Sequence, residues 1–347
     1  MAGPGPAAQN ALLSLVTFKY FQGDIMQASS GNTASYARVI ANSKRVRWDI
    51  EHDVLRGRRF DLSKPFLPSG LSLAGELPFL EGGDRRLFSQ LQGRSYAYIF
   101  GLVERFISAK MLEVSRVHWL GDQVALQALV RMTDEEIKHQ ELFRRLETLM
   151  AADMPPGYRP MAEPNAVALA VLGKSTWAVL ALTLHIELFT QTHYRASIAS
   201  EGDICELWRD VFLFHWKEES QHAVLDELEF LREDAGLTPA QRDVAVGELI
   251  ELVGAVDQIL QAQAGADAAY FLGVATGKFT ADQQEMIAAT FLKAYRWQYI
   301  VSGVMQPRFQ KVLFATMSPD QATRVNDALG PLLMAVPAEA SRIVEQA

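Results

Sequence analysis

Two Glu-x-x-His motifs, Glu136-Ile137-Lys138-His139 and Glu219-Ser220-Gln221-His222, each follow a lone glutamate by the same 32 residues, Glu104 in the first case and Glu187 in the second. The two halves are offset by 83 residues. A Glu and a His at i, i+3 share one face of a helix, so each motif presents a carboxylate and an imidazole together. Four carboxylates and two imidazoles on four inward-facing helices make up the ligand set of a dinuclear carboxylate metal site. Seven His among 23 Glu would give on the order of half of one accidental Glu-x-x-His, so a single copy would mean little. Two copies with matched leading glutamates are much harder to assign to chance.

The neighbours of these residues argue against solvated helix faces. Phe100 and Ile107 flank Glu104 at helical spacing, and Leu180, Thr183 and Leu184 precede Glu187 on its own side. An unpaired carboxylate on an apolar stripe costs several kcal/mol or takes up a proton, and a dication removes that cost. His215 stands four residues before Glu219, so His215, Glu219 and His222 fall within about 60° of arc. A histidine in Phe212-Leu213-Phe214-His215-Trp216 would ordinarily be read as core, but its place one turn from two ligands makes it a seventh ligand candidate. Glu135 and Glu218 each precede a ligand glutamate. Each is either an acceptor for the free ring N–H of the opposite motif's histidine or an exposed acid paired with Arg131 or Lys217. Asp226 reads as a surface charge, and His52, His118, His185 and His193 lie off ligand spacing. His185 is about 200° around the helix from Glu187.

Mostly oxygen ligands with two or three imidazoles suit iron or manganese better than zinc or copper. Four carboxylates balance two ferrous ions, and the oxidised pair keeps positive charge for reduced dioxygen. Glu136 and Glu219 would bridge the metals, with Glu104 and His139 on one and Glu187, His215 and His222 on the other. Three weaker candidates concern the substrate. Tyr96, two turns before Glu104, could line a pocket, Arg296 in Tyr295-Arg296-Trp297-Gln298-Tyr299 could anchor a carboxylate, and His193 lies near the third-helix ligand.

The elements that must position these groups are all helical. Expected helices run over about Ala34–Val54, Gly82 to about His118, Asp122–Asp153, Pro164 to about Ile198, and Asp203–Asp234, each of the last four about 30 residues or ~45 Å long. Further helices start at Thr238-Pro239 (to about Ala264, with Gly265 as a stop), at Thr280 (to about Val304) and at Ser318-Pro319. The organisation expected is one domain over 1–347: a wrapping segment 1–83 with a Pro/Gly-rich stretch at 64–70, a metal-binding four-helix bundle 84–235, and a helical extension 236–347. The short link Met154–Glu163 leaves the order of the helix pairs open.

The arrangement resembles the ferritin-like di-iron carboxylate proteins, and the added His215 resembles the p-aminobenzoate (arylamine) N-oxygenase family. That family's pattern of Glu, Glu-x-x-His, Glu and His-x3-Glu-x2-His is met by Glu104, Glu136, His139, Glu187, His215, Glu219 and His222 across about residues 90–235. The resemblance implies an all-α, ferritin-like bundle and a di-iron mono-oxygenase that uses O2 to oxidise an aromatic amine at nitrogen. Its expected partners are a small-molecule amine and an external electron donor. Alternatives on the same bundle are a fatty-acyl desaturase or hydroxylase, which gives no reason for His215, and a ligand-binding Mn/Fe oxidase. Non-enzymatic iron binding fits the long terminal segments poorly. A ribonucleotide reductase small subunit would place a tyrosine where Phe143 stands.

Composition agrees with a globular chain: 347 residues, 49% hydrophobic, 21% charged, formal charge -8. The acidic balance argues against a nucleic-acid partner. The run Ala166–Leu184 is broken by Lys174-Ser175-Thr176 and continues into His185 and Glu187, which favours an interior helix over a membrane span. A lone Cys205 and the lack of a positive start in Met1–Ser14 point to the cytoplasm. A homodimer is left open.

Overall fold

In the computed structural model, which describes residues 30–337, every regular element is helical. Helix α1 covers Ser30–Arg45, α2 Gly82–Ser115, α3 Gln123–Asp153, α4 Pro164–Leu172, α5 Thr176–His193 and α6 Glu206–Ala235. The C-terminal part adds α7 (Pro239–Val274), α8 (Ala281–Arg296), α9 (Pro307–Ala315) and α10 (Pro319–Leu329). The reading of Met1–Ser14 and the first 29 residues of the wrapping segment lie outside the described residues.

Side-chain caps set five of these ten helix starts. Asp122 caps α3 by accepting from the amides of Val124 and Ala125, and Glu163 caps α4 through those of Asn165 and Ala166. Thr238 with Gln241, Thr280 with Gln283 and Ser318 with Gln321 form reciprocal capping boxes at α7, α8 and α10. α2 packs most extensively on α3 and α5 on α6, while α3 also touches α6 and α2 touches α5, closing a ring. α1 lies across α3 and α6, and α7 lies across α5 and α8. α4, within the link between α3 and α5, packs on α2 and carries the chain back along it.

Several expected helices are interrupted. The Ala34–Val54 helix ends at Arg45. Asp49 then accepts from the amides of Glu51 and His52 and starts a separate π-helical turn, Ile50–Leu55. The Pro164–Ile198 helix breaks at residues 173–175, where the Ser175 amide turns out to Glu248 Oε2 at 2.8 Å. After α5 a π-turn covers Tyr194–Ile198, and another, Trp297–Val301, interrupts the helix expected through Val304. Gly265 does not end α7. The helix continues to Val274, and Asp84, on the first turn of α2, takes the amides of Thr276 and Gly277 just past its end. Pro307 opens α9, which the sequence pattern did not announce. No helix among the described residues is long and apolar enough to cross a membrane.

Residues 60–80 hold only two short helical turns, Ser69–Ser72 and Ala74–Glu76, and side chains of α2 partner backbone groups that these turns leave unpaired. Ser89 Oγ accepts from the amides of Phe66 and Leu67 and donates to the Leu67 carbonyl at 2.8 Å. Gln90 Nε2 donates to the carbonyls of Leu62 and Lys64, and Gln92 Nε2 to that of Ser72. Phe66 is then pressed between Trp208, stacked at 5.5 Å, and the bare backbone of Gly93. A Cβ on Gly93 would fall 2.6 Å from Phe66 Cβ. Gly93→Ala is therefore expected to lower unfolding stability by about 1–3 kcal/mol, the usual cost of overpacking. Urea denaturation reads this, and an unchanged midpoint would mean the segment yields freely.

Candidate metal centre

Helical spacing delivers all seven expected ligands to the interior. Glu104 comes from α2, Glu136 and His139 from α3, Glu187 from α5, and His215, Glu219 and His222 from α6; none is more than 2% exposed. His139 Nδ1 lies 3.2 Å from Glu104 Oε2 and 2.9 Å from Glu219 Oε1. His215 Nε2 lies 2.9 Å from Glu104 Oε1 and 2.8 Å from Glu219 Oε1. His222 Nδ1 lies 2.9 Å from Glu136 Oε1 and 2.8 Å from Glu219 Oε2. Each inward nitrogen carries at most one proton yet faces two carboxylates, so protons alone cannot satisfy the cluster. Both oxygens of Glu136, Glu187 Oε2 and Glu219 Oε1 have no aligned hydrogen bond among the described residues. Lone pairs converging in this way are what a cation would need, and the oxygen-rich donor set fits a divalent metal of the iron or manganese kind.

Two groups of side chains could each hold a metal ion: Glu104, His139, His215 and Glu219, and Glu136, His139, Glu219 and His222. Glu219 faces all three imidazoles, which suits a bridging carboxylate. The grouping differs from the sequence expectation in more than one respect: His215 faces Glu104 and His139 across the ring, not Glu187, and Glu136 belongs to one group only, where a bridge would belong to both. Glu187 stands outside both groups, buried against Glu219. The shared His139 has one inward nitrogen, so it would serve one ion at a time.

The electrostatics agree. Burial opposes charge on every member. In Glu136 and Glu187 burial and neighbouring carboxylates raise the carboxyl pKa well above its usual range. In Glu219 the facing imidazoles outweigh burial and lower it well below that range, and Glu104 falls to about 2 for the same reason, His139 contributing most. His139 and His222 go well above the usual histidine range, because the carboxylates outweigh desolvation. Without metal the cluster is thus held by protons, and metal entry would release them.

Glu135 and Glu218 are buried, not exposed, and each serves the opposite motif. His139 Nε2 donates to Glu218 Oε2 at 2.8 Å, and His222 Nε2 to Glu135 Oε2 at 2.9 Å. Those bonds fix each ring with Nδ1 facing inward. Glu218 also takes Lys138 Nζ at 2.6 Å, where Lys217 was the expected partner. Ser43 donates to Glu135 at 2.5 Å and accepts from Arg131 at 2.7 Å. Trp48 stacks on the His139 ring at 5.9 Å and 7°, and Lys138 lies 3.9 Å over its indole. Ser43, Trp48 and Lys138 carry no spacing signal, so sequence reading missed them. Phe100 and Phe143 wall in His215 edge-on at 5.3 and 5.2 Å.

Asp226 is a correction: it is fully buried one turn beyond His222, and burial drives its carboxyl well above the usual range. Of the substrate candidates, Arg296 is held by Asp257 through two bonds of 2.6 and 2.9 Å. Tyr96 and His193 touch each other, 2.7 Å between Oη and Nδ1, and His193 Nε2 reaches Ser302 Oγ at 2.8 Å. No family model matches the chain, and no curated protein matches it either.

Two predictions follow from this geometry. Removing the outer acceptor in Glu218→Ala should weaken metal binding by about 10–100-fold, read by competition with a chromophoric chelator; unaltered affinity would deny Glu218 its role on His139. Burial lowers the His193 pKa to about 3. A histidine lowered in the folded state contributes stability that is full above the unfolded pKa, ~6.5, and is lost as pH falls from there toward the folded value. His193→Asn should lose this part of the acid sensitivity, on the order of 2 kcal/mol between pH ~6.5 and ~4.5. Parallel denaturation curves at the two pH values would contradict it.

Proposed function

We propose that the ring of α2, α3, α5 and α6 is a ferritin-like four-helix bundle holding two iron ions, and that the protein is an O2-activating oxidoreductase acting on an aromatic amine at nitrogen. The observation that carries this reading is the cluster of Glu104, Glu136, His139, Glu187, His215, Glu219 and His222, buried together and short of protons. Two iron ions bound there would supply the two electrons that convert O2 into an oxygen donor.

The chain's own residues divide the remaining work. Glu219, between three imidazoles, keeps its negative charge where the cations would sit, and Glu104 supplies a second anionic carboxylate beside His139 and His215. Burial and neighbouring carboxylates favour the protonated form of Glu136 and Glu187, which metal entry would oppose. Glu135 and Glu218 keep His222 and His139 oriented as neutral nitrogen donors. Phe100, Phe143 and Phe212 exclude water from the His215 side, which favours oxidation of an organic substrate over leakage of reactive oxygen. His215 favours the N-oxygenase reading over the desaturase one, since it stands within reach of Glu104 and Glu219 and not in the packing alone.

The test is anaerobic loading with Fe(II), metal analysis, then O2 with a panel of arylamines. About two iron atoms per chain and a nitroso or nitro product are expected, with the product lost in Glu136→Ala. Desaturated or hydroxylated acyl chains would favour the alternative, and no bound iron would end the reading.

A further inference from the structure

Three buried phenols stand beyond the aromatic wall of the cluster: Tyr96, Tyr299 and Tyr295. They differ in what their hydroxyls touch. Tyr96 Oη lies 2.7 Å from His193 Nδ1. The sense of that bond is fixed from its far end. Ser302 Oγ donates to the Gln298 carbonyl at 3.1 Å, so it accepts from His193 Nε2–H at 2.8 Å. Nδ1 is then the bare nitrogen, and Tyr96 donates to it. Burial keeps His193 neutral and keeps the Tyr96 phenol from ionising on its own. A phenol in such surroundings gives up an electron only if its proton leaves with it, and an aligned neutral base permits that. Tyr299, 5.8 Å from the Tyr96 ring, has no hydrogen-bond partner for its hydroxyl among the described residues. Tyr295 donates to Asp267 but lies one ring further out, 6.2 Å beyond Tyr299.

Tyr96 is also connected to the cluster. Its ring centroid is 4.7 Å from Phe100, which meets His215 at 5.3 Å, and a parallel contact runs through Phe212 at 5.2 and 6.1 Å. We propose that Tyr96 is a redox-active tyrosine that gives one electron to the metal centre, with His193 accepting its proton. This rests on the reading of that centre as O2-activating. The oxidant is the metal pair after reaction with O2, which is reduced by one electron passed through the Phe100–His215 contact. The Tyr96 O–H bond breaks, an N–H bond forms at His193 Nδ1, and a neutral tyrosyl radical faces an imidazolium. An external one-electron donor returns the electron, and the proton goes back to the oxygen. Lacking an acceptor, Tyr299 does not carry the oxidising equivalent onward.

The test uses full-length protein loaded with Fe(II), mixed with O2 in the absence of an amine and freeze-quenched for electron paramagnetic resonance. O2 uptake is followed on the same samples. A tyrosyl signal is expected that narrows in protein carrying ring-deuterated tyrosine, is lost in Tyr96→Phe and survives in Tyr295→Phe. His193→Gln keeps an acceptor for the hydroxyl but removes the base, and should lose the signal too. It also serves if Tyr96→Phe, which leaves Nδ1 unpaired in the core, fails to fold. O2 uptake with no tyrosyl signal, or a signal unaffected by Tyr96→Phe or His193→Gln, overturns the inference alone. No O2 uptake by iron-loaded protein overturns the oxygenase reading and this inference with it.

Discussion

Seven ionisable side chains share one buried volume, and the three imidazole nitrogens aimed inward cannot supply a proton to every carboxylate oxygen they face. That shortage governs the rest of the molecule. An isolated buried carboxylate would neutralise itself or force water in. Here His139, His215 and His222 hold Glu219 and Glu104 toward the anionic form, while burial and neighbouring carboxylates push Glu136 and Glu187 toward the neutral one. The ring of α2, α3, α5 and α6 keeps these opposed tendencies at contact distance.

A second layer keeps the imidazoles from turning. Glu135 and Glu218 hold the outer nitrogens, and they are held in turn by Ser43 with Arg131 and by Lys138. Lys138 also covers Trp48, whose face lies on His139. The break between α1 and the turn at Ile50 puts Trp48 there, because Asp49 caps a new turn in place of a continuing helix. The N-terminal segment thus contributes directly to the walls of the site, through Ser43 on α1 and Trp48 just after it.

Much of this was legible from spacing. Residues at i, i+3 and i+4 on an amphipathic helix share a face, so spacing alone groups Glu136 with His139 and His215 with Glu219 and His222. The crosswise use of Glu135 and Glu218 was one of two readings the same repeat allowed, and their burial against His222 and His139 selects it. What spacing could not give is whatever depends on contacts between distant segments. Gly265 offers a stop in sequence, yet α7 runs on to Val274, and Asp84 captures the amides of Thr276 and Gly277 just past its end. Asp226 reads as a surface charge because a carboxylate off ligand spacing is seldom buried without a partner, yet it lies fully buried. The pairing of His215 with Glu104, and the retreat of Glu187 behind Glu219, depend on how helices lean across the ring. A one-dimensional repeat carries no information about that lean. Arg296 belongs to the same class, since its partner Asp257 lies on another helix.

The repeat also has a flaw with consequences. Counting back 83 residues from His215 reaches Met132, a buried thioether where the equivalent half has no imidazole. The near-twofold relation between the halves therefore stops at the third nitrogen. Any two cations seated there occupy unlike fields, one with an additional neutral donor and an aromatic wall, the other without. Their affinities would then be unequal, and a half-loaded form would have a preferred side.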